Sequence, residues 1–289
     1  MLAKARATAV DQVVVDLEDA VAPDLKTEAR QLTVEALSAD DWVAPTRSVR
    51  INATDTPWTF RDLEALVTAA VPPATVILPK ARTAADVHFI DALLTQLEQE
   101  AAVEVHQTGL ELQVETAAGL ANLDQLVMAS SRLEAVLLGP GDLAAALMLP
   151  EATIGDVQAG YPGDSWHAVR ATLAIQARRA GAQVIDGPFV GLDDPVGLRR
   201  TAALARAMGF DGKWVIHPGQ IDLVNEVFGT TQQDVDRAGR LLTALHEAVV
   251  SGTGAIRLDG EMIDEATIRH ARLTLHRGRA QGLEPRPNS

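Results

Sequence analysis

The stretch that decides the fold is Val13-Val14-Val15-Asp16-Leu17-Glu18-Asp19, in which a short apolar run leads directly into three carboxylates. Short Val, Ile and Leu runs of this kind are typical of strands that are buried on both faces in parallel sheets. Alternation along the strand directs the acids unequally, so that some face the strand end and others the following loop. The stretch therefore predicts a buried strand with an acidic C-terminal end.

Six more apolar runs follow the same design, and nearly every one ends in a charged or turn residue. The seven predicted strands are Val13–Asp16, Ser48–Ile51, Thr75–Leu78, Leu110–Val114, Ala135–Leu138, Gln183–Ile185 and Lys213–Ile216. The predicted helices between them are Leu25–Leu37, Phe60–Ala70, Ala84–Glu100, Ala118–Met128, Ser165–Ala180 and Pro195–Met208. Strict alternation of strand and helix predicts parallel strands with right-handed crossovers.

Polar residues at the strand ends favour a barrel over an open sheet. An open sheet concentrates its chemistry at one switch point, whereas a (β/α)₈ barrel uses the C-terminal ends of many strands. Seven strands do not close an eight-stranded barrel, and Leu2–Thr8 already predicts a helix that leads into the first of them. We expect a TIM barrel that lacks its first strand before Met1, unless a strand near Ile154 or Val103–Val105 escapes the pattern.

The C-terminal part of the chain departs from this alternation. Two helices, Gln232–Val250 and Met262–Arg279, are predicted there without an intervening buried strand. We therefore expect a barrel domain over residues 1–229 and a helical extension over residues 230–289.

Composition excludes several classes of function. The 289 residues include no cysteine, which excludes disulfides, thiolate metal sites, iron–sulfur clusters and a cysteine nucleophile. The formal net charge of −14 opposes nucleic-acid binding and fits a protein that binds a cation or has local basic pockets. No apolar run reaches the ~18 residues of a membrane span and no cleavable signal is evident, so we expect no membrane partner and a cytoplasmic location.

Two carboxylates, Glu115 and Asp142, lie just past the apolar strands of successive βα units. A barrel places them on one rim, where they repel each other unless a cation lies between them. Mg²⁺ suits this pair, because one or two carboxylates commonly hold it while waters and substrate oxygens complete its octahedron. The alternatives are a helix N-cap for Asp142 and a rim salt bridge for Glu115. A dinucleotide-binding loop at Gly139–Ala144 is disfavoured, because Asp142 sets negative charge where a pyrophosphate must bind.

Basic residues also lie at the strand ends. Arg50 in an acidic barrel mouth must be paired or serve a substrate carboxylate or an enolate oxygen, for which its fork is suited. Lys80 fits a substrate contact and a salt bridge equally well. Asp16, Glu18 and Asp19 are candidates for hydrogen bonds to metal-bound water, or for capping the helix that follows them.

Seven segments of the chain, taken together, resemble the citrate lyase β-subunit-like branch of the HpcH/HpaI aldolase family. This branch includes malyl-CoA, citramalyl-CoA and β-methylmalyl-CoA lyases. The matching segments are VVVDLEDAVAPDLKTEAR, SVRIN, VILPKA, LELQVETAAGLANLDQL, AVLLGPGDLAAAL, GFDGKWVIHPGQIDLVNEVF and GAIRLDGEMIDEATIRHAR, from about residue 10 to residue 272. Relatives start with an extra strand and a loop like F-x-P-G-x-x-P that helps to hold CoA and substrate. This chain departs from the family there.

The resemblance implies a TIM barrel in which Glu115 and Asp142 hold Mg²⁺ and Arg50 is oriented toward the substrate. Glu18 and Asp19 match the family's DLED pair, which implies that they act in catalysis through the network around metal-bound water. These roles are expectations for this chain.

The resemblance also implies a lid. In the family's acyl-CoA lyases the C-terminal segment covers a neighbouring subunit and contributes a catalytic Asp, which is matched here by Asp264. Lys80, Pro140 and Gly141 are expected to contact substrate. The expected assembly is a homotrimer or a dimer of trimers with the lid exchanged between subunits.

The implied activity is a Mg²⁺-dependent carbon–carbon lyase. Its substrate is expected to be a 3-hydroxyacyl thioester of CoA or an acyl carrier, which yields an acyl thioester and a small oxo acid, with Mg²⁺ as Lewis acid. Two alternatives stay open at this point. One is a malyl-CoA-type thioesterase with the same metal site, and the other is a non-catalytic acyl-CoA-binding or citrate lyase complex subunit.

Overall fold

The computed structural model describes residues 2–150, 153–156, 163–250, 256–258 and 261–286. The chain divides into two compact units at the junction between Phe228 and Gly229. Each unit is described by itself below. Neither alternative position for a missed strand is a strand: Ile154 lies in a turn, residues 103 and 104 are irregular, and a turn begins at Val105.

The first unit is built on one parallel sheet. Its strands are β1 (Gln12–Asp16), β2 (Thr46–Arg50), β3 (Thr75–Leu78), β4 (Gly109–Val114), β5 (Leu133–Leu138), β6 (Gln183–Asp186) and β7 (Gly212–Lys213). They pair in chain order, and every pairing is parallel. The seven predicted parallel strands are thus confirmed.

The last strand is shorter than the sequence predicts. Lys213–Ile216 was expected to be a strand, but β7 ends at Lys213. The Ile216 N–H donates to the side-chain oxygen of Gln220 over 3.0 Å, so the turn rather than a ladder binds this backbone group. Pro218 then starts a 3₁₀ helix, because its ring presets a helical φ.

Helices follow the strands as predicted, with small shifts at their ends. They are α1 (Leu2–Arg6), α2 (Lys26–Leu37), α3 (Thr59–Val67), α4 (Ala84–Glu100), α5 (Ala117–Ala121), α6 (Leu123–Leu126), α7 (Pro140–Ala146), α8 (His167–Arg179), α9 (Pro195–Ala207) and α10 (Ile221–Phe228). The helix predicted over Ala118–Met128 is broken at Asn122, whose side-chain amide donates to the Arg82 carbonyl over 2.9 Å. Across the described part of the chain, no helix is both long and apolar enough to cross a bilayer.

The sheet is strongly curled. Neighbouring strands lie about 4.8 Å apart, so β1 and β4 would be about 14 Å apart in a flat sheet. The Nε2 atom of Gln12 on β1 nevertheless donates to Oε1 of Glu111 on β4 over 2.7 Å. Among the described strands no ladder joins β1 to β7, so the sheet is a half-barrel that is consistent with a TIM-like barrel.

Alternate side chains divide between two sides of this sheet. One set, which includes Val49, Val76 and Val136, packs with the surrounding helices in the main core. The other set lines the interior. There an apolar layer consists of Val14, Ile77, Ala135, Leu137, Ile185 and Trp214, and a polar layer consists of Gln12, Ser48, Thr75 and Glu111. Inward-facing layers of this kind are how barrels fill their centres.

Glu111 in the polar layer gives a testable pH dependence. Burial raises the pKa of Glu111, and the charge of Glu134 adds to this against the hydrogen bonds from Thr75 and Gln12. Because the folded-state pKa lies above the unfolded value, the stabilisation by this carboxyl is complete below the unfolded pKa and is lost as pH rises through the folded pKa.

We expect Glu111→Gln, which keeps an oxygen acceptor, to remove this loss. As the pH rises above the ordinary pKa of a glutamate, the difference in unfolding free energy between variant and wild type should shift in favour of the variant. Urea unfolding at several pH values measures it. Parallel pH profiles for the two proteins would contradict the assignment.

Within its described residues, the second unit contains two helices and a pair of antiparallel strands. The elements are α11 (Gln232–Val250), β8 (Ile256–Leu258), β9 (Glu261–Ile263) and α12 (Glu265–Ala280). Helix Gln232–Val250 is confirmed, whereas the second helix starts later than the predicted Met262. The Asp264 carboxylate accepts from the Thr267 N–H over 2.8 Å and thereby caps α12, because an N-cap satisfies a free N–H of the first turn.

Candidate active site

The C-terminal ends of five neighbouring strands bring ionisable side chains to one edge of the half-barrel. Asp16 ends β1 and Arg50 ends β2. Lys80 lies in the loop after β3, Glu115 follows β4 directly, and Asp142 lies in the first turn of the helix after β5. Parallel strands place their C-terminal ends on the same rim, which is where barrel enzymes carry their chemistry.

Arg50 is held by a two-pronged ion pair. It is the register partner of Asp16, to which its Nε and Nη2 donate over 2.8 and 2.6 Å. Its Nη1 lies 3.1 Å from Oε2 of Glu18, and its guanidinium lies 5.7 Å from the centroid of the Trp214 ring. Burial alone would raise the pKa of Asp16, but the hydrogen bonds and charge of Arg50 hold it below its ordinary value. Asp16 therefore orients Arg50.

A buried lysine fixes the loop that carries Glu18. The Nζ atom of Lys26 donates to the carbonyl oxygens of Leu17 and Glu18 over 2.8 and 2.7 Å. The same ammonium lies 5.2 Å from the centroid of the Trp58 ring. The two carbonyls and the Trp58 ring hold the Lys26 ammonium in place. The loop that Lys26 binds then positions the Glu18 carboxylate beside Arg50.

We expect Lys26→Met to destabilise this loop. The substitution leaves the buried Leu17 carbonyl without its donor, which costs about 1–3 kcal/mol of unfolding free energy. The Glu18 carbonyl loses one of its two donors and keeps the Val21 N–H at 3.0 Å. Urea unfolding measures the loss, and hydrogen exchange should show faster exchange in residues 17–20. Lys4→Met, at an exposed lysine, is the matched control. Equal stability of both variants would contradict the role of Lys26.

Lys80 lies at the centre of the acidic residues. Its Nζ contacts Oε1 of Glu18 at 2.5 Å, Oδ1 of Asp19 at 3.1 Å and Oδ2 of Asp142 at 3.5 Å. Partial burial would lower the pKa of Lys80, but the hydrogen bond and charge of Glu18 outweigh it and raise the pKa above its ordinary value. Lys80 therefore stays charged, and it links the loop after β1 to helix α7.

Glu115 is buried among these charges. Its Oε1 accepts from the Lys80 N–H over 3.0 Å, and its Oε2 accepts from Nε2 of Gln113 over 2.5 Å. Burial raises the pKa of Glu115 to about 7, and the negative charges of Glu18 and Asp142 add to this against Arg50 and Lys80. Burial and the negative neighbours of Glu115 thus outweigh the nearby positive charges, so a further cation would stabilise its ionised form.

Glu115 and Asp142 are carboxylates of the kind that divalent metal ions accept as ligands. A Cβ at Gly139 would lie 2.6 Å from Cβ of Glu115, so this glycine lets the loop after β5 approach Glu115 closely. That loop places Asp142 in the first turn of α7, where its side chain is half exposed. Among the residues that the structure describes, no three or more metal-ligating side chains cluster. Mg²⁺ is often held by only one or two carboxylates, so the donor set fits it.

The other predicted residues lie as follows. Pro140 is the buried first residue of α7, and Gly141 follows it with space for a Cβ at 3.6 Å from Ile154. Asp19 is more than half exposed at the edge of the acidic residues. Asp264 is the N-cap of α12 in the C-terminal unit.

Sequence reasoning missed Gln113, Lys26 and Trp214. Gln113 bridges the site, since its Oε1 accepts from Nη1 of Arg50 over 3.5 Å while its Nε2 binds Glu115. The alternation of Glu111, Gln113 and Glu115 along β4 was a signal that could have found it, because alternate residues share one face of a strand. Lys26 and Trp214 carry no such pattern.

A family model for HpcH/HpaI aldolase/citrate lyase matches residues 1–218. The chain belongs to this family. The expected family membership is thereby confirmed, and the acidic rim lies within the matched residues.

Several relatives of this family member are named as lyases. The L-malyl-CoA/β-methylmalyl-CoA lyase of Cereibacter sphaeroides is 37% identical over 278 residues, which cover 93% of this chain and 87% of the relative. The citrate lyase subunit beta of Leuconostoc mesenteroides is 32% identical over 274 residues, which cover 94% of this chain and 87% of the relative. Both matches extend beyond the barrel unit into the C-terminal unit.

Solved structures agree with this relationship. CitE of Mycobacterium tuberculosis, solved in complex with magnesium, acetoacetate and coenzyme A, matches with a TM-score of 0.72 and 32% identity. The match covers 95% of this chain and 92% of that one. The citrate lyase beta subunit of the same organism, solved with oxaloacetate and magnesium, matches with a TM-score of 0.62 and 33% identity over 78% of this chain and 90% of that one.

Proposed function

We propose that this protein is a Mg²⁺-dependent carbon–carbon lyase that cleaves or forms a 3-hydroxyacyl-CoA thioester, such as malyl-CoA, citramalyl-CoA, β-methylmalyl-CoA or citryl-CoA. The products of cleavage are an acyl-CoA and an oxo acid or an acetate-type product. The observation that carries the proposal is the Glu115 carboxylate, which is buried beside two further carboxylates and interacts electrostatically with Asp142. The lyase names of the relatives support the same reaction class.

Glu115 and Asp142 would hold the metal ion. When bound, Mg²⁺ supplies Lewis-acid chemistry by lowering the pKa of an oxygen that it polarises. Gln113 keeps Glu115 oriented through its hydrogen bond to Oε2. Because the Lys80 N–H binds the other oxygen, the Glu115 side chain is preorganised before any ligand arrives.

Arg50 is the residue that we assign to the developing negative charge. In cleavage the substrate hydroxyl gives up its proton and becomes a carbonyl, while the electron pair of the broken carbon–carbon bond moves into a thioester enolate. The enolate then takes up a proton at carbon to give the acyl thioester. A guanidinium that is held in place by Asp16 and supported by Trp214 needs no reorganisation to stabilise this oxygen. Glu18 and Asp19 act through Lys80, whose ammonium they hold at the rim.

Lys80, Pro140 and Gly141 form the proposed substrate surface beside the metal site. Lys80 offers a point charge to a distal carboxylate, and Gly141 keeps the start of α7 accessible because it has no side chain. An acyl-carrier thioester in place of CoA is compatible with the same chemistry.

The finer architecture is also part of the proposal. The full (β/α)₈ barrel requires an eighth strand between β1 and β7, the two edges of the half-barrel that have no partner among the described strands. Residues 230–289 would act as a lid over a neighbouring subunit of a homotrimer or dimer of trimers. Asp264 would then exchange the proton at the enolate carbon in that neighbouring site.

The deciding experiment is a cleavage screen with malyl-, citramalyl-, β-methylmalyl- and citryl-thioesters, with Mg²⁺ and with a chelator. Release of an oxo acid or acetate together with an acyl-CoA, only in the presence of Mg²⁺, is expected. Free CoA with an intact hydroxy diacid would instead identify a thioesterase. Acyl-CoA binding without turnover of any substrate would identify a non-catalytic subunit, and either result would overturn the lyase assignment.

A further inference from the structure

Lys80 has a left-handed backbone conformation. Its φ is +54°, in the left-handed region where residues other than glycine are uncommon. Strained backbone of this kind persists only where the surrounding structure enforces it, and it is concentrated at functional sites. Here it allows one residue to bind Glu115 through its N–H and to direct its ammonium toward three other carboxylates.

The ammonium of Lys80 contacts three of these acids, more than Arg50 does. Arg50, the other nearby cation, is committed to Asp16 through two hydrogen bonds and contacts the cluster only through Glu18. Lys80 contacts Glu18 and Asp19 closely, whereas Asp142 is its most distant partner at 3.5 Å. The contact to Asp142 is therefore the one that can be released while the ammonium keeps two carboxylates.

We propose that Lys80 is an internal counter-cation that competes with the divalent ion for Asp142 and thereby limits the metal affinity of the site. The inference rests on the metal site of the proposed function. Without metal, the ammonium neutralises part of the acidic cluster and holds it together. When metal binds, Asp142 turns from Lys80 to the ion, and the ammonium stays on Glu18 and Asp19.

Two electrostatic effects give the expected size. The bound ion must displace the Lys80 contact, and it must also bind beside a retained positive charge. Charges a few ångström apart near a protein surface still repel each other appreciably, so removal of the ammonium should tighten metal binding by about tenfold.

The test is a calorimetric titration of the metal-free, full-length protein with Mg²⁺, repeated with Mn²⁺. Lys80→Met and Lys80→Gln should each bind the ion about tenfold more tightly than wild type, while Lys80→Arg should remain within about threefold. Arg82→Met is the matched control. It removes one positive charge from the same loop, but Arg82 is more than half exposed and pairs with Asp55. Unchanged or weaker binding in both neutral variants would overturn the proposal.

Thermal unfolding adds a readout that is independent of turnover. Without metal, both neutral variants should melt below wild type, because the acids lose their counter-cation. Saturating Mg²⁺ should raise their melting temperatures more than it raises that of wild type, since a ligand stabilises in proportion to its affinity. An equal metal-induced rise in all proteins would overturn the competition.

One further variant separates this proposal from the proposed function. Glu115→Gln with Asp142→Asn should abolish the calorimetric signal. If wild type binds metal and this double variant binds it equally well, the metal site lies elsewhere and the site assignment itself fails. If the double variant loses binding and the Lys80 variants match wild type, the site stands and only the role of Lys80 is wrong.

Discussion

Lyase turnover is expected to fall by at least about 1,000-fold when Glu115 is replaced by glutamine and Asp142 by asparagine, because the loss of Lewis-acid stabilisation is worth several kcal/mol in the transition state. Both replacements keep the side-chain shape, remove the charge and exchange one acceptor oxygen for an amide NH₂. The fold should survive, since the remaining oxygen at position 115 can still accept from the Lys80 N–H. Initial rates with the best thioester of the screen, at saturating Mg²⁺, measure the effect.

The control carries the same change of charge far from the rim. Glu100→Gln with Glu104→Gln alters two exposed acids at the C-terminal end of α4 and just beyond it. This variant should keep wild-type turnover. A double variant at Glu115 and Asp142 that folds normally and turns over at an undiminished rate would remove the catalytic assignment.

Arg50→Lys is expected to lower kcat by about 100- to 1,000-fold, the cost of losing one preorganised donor to a developing oxyanion. Lysine keeps the charge but loses the planar fork that binds both oxygens of Asp16. The ammonium is therefore free to move away from the position in which Arg50 is held. Separate determination of kcat and KM checks the prediction, with the larger change expected in kcat.

Arg47→Lys on the same strand is the matched control. Arg47 donates to the Leu37 carbonyl over 3.0 Å and does not share the contacts of Arg50. Its variant should retain kcat within about threefold, as expected for a change away from the reacting atoms. Similar losses in both variants would show that strand β2 is merely destabilised, and a kcat near wild type for Arg50→Lys would exclude Arg50 from oxyanion stabilisation.

Much of the fold was predictable because hydrophobic patterns repeat locally. The runs of Val, Ile and Leu identify all seven strands, and the alternation with helices implies their parallel order. The end of β7 was not predictable, because the side chain of Gln220 captures the Ile216 N–H only once the turn has formed. The strand pair β8–β9 was missed for the same kind of reason, since strand pairing in a short polar segment depends on its partner.

The candidate site was predictable only in its composition. Carboxylates and basic residues after successive strands point to one rim, and the structure brings Asp16, Glu18, Arg50, Lys80, Glu115 and Asp142 together there. Which of them pair is a different matter. Lys26 carries no motif, yet it fixes the loop of Glu18, because its Nζ reaches two carbonyls that only the folded chain places within its range.

The amino-acid sequence by itself determined the strand order, the polar strand ends and the family, because these depend on residue types at short spacings. Only the tertiary structure decided that Arg50 is bound to Asp16, that Gln113 bridges Arg50 and Glu115, and that Lys80 adopts a left-handed backbone among the acids. The physical reason is distance. Charge interactions and hydrogen bonds act over a few ångström. Strand pairing brings Asp16 and Arg50 within that range, and the curl of the sheet does the same for Gln12 and Glu111.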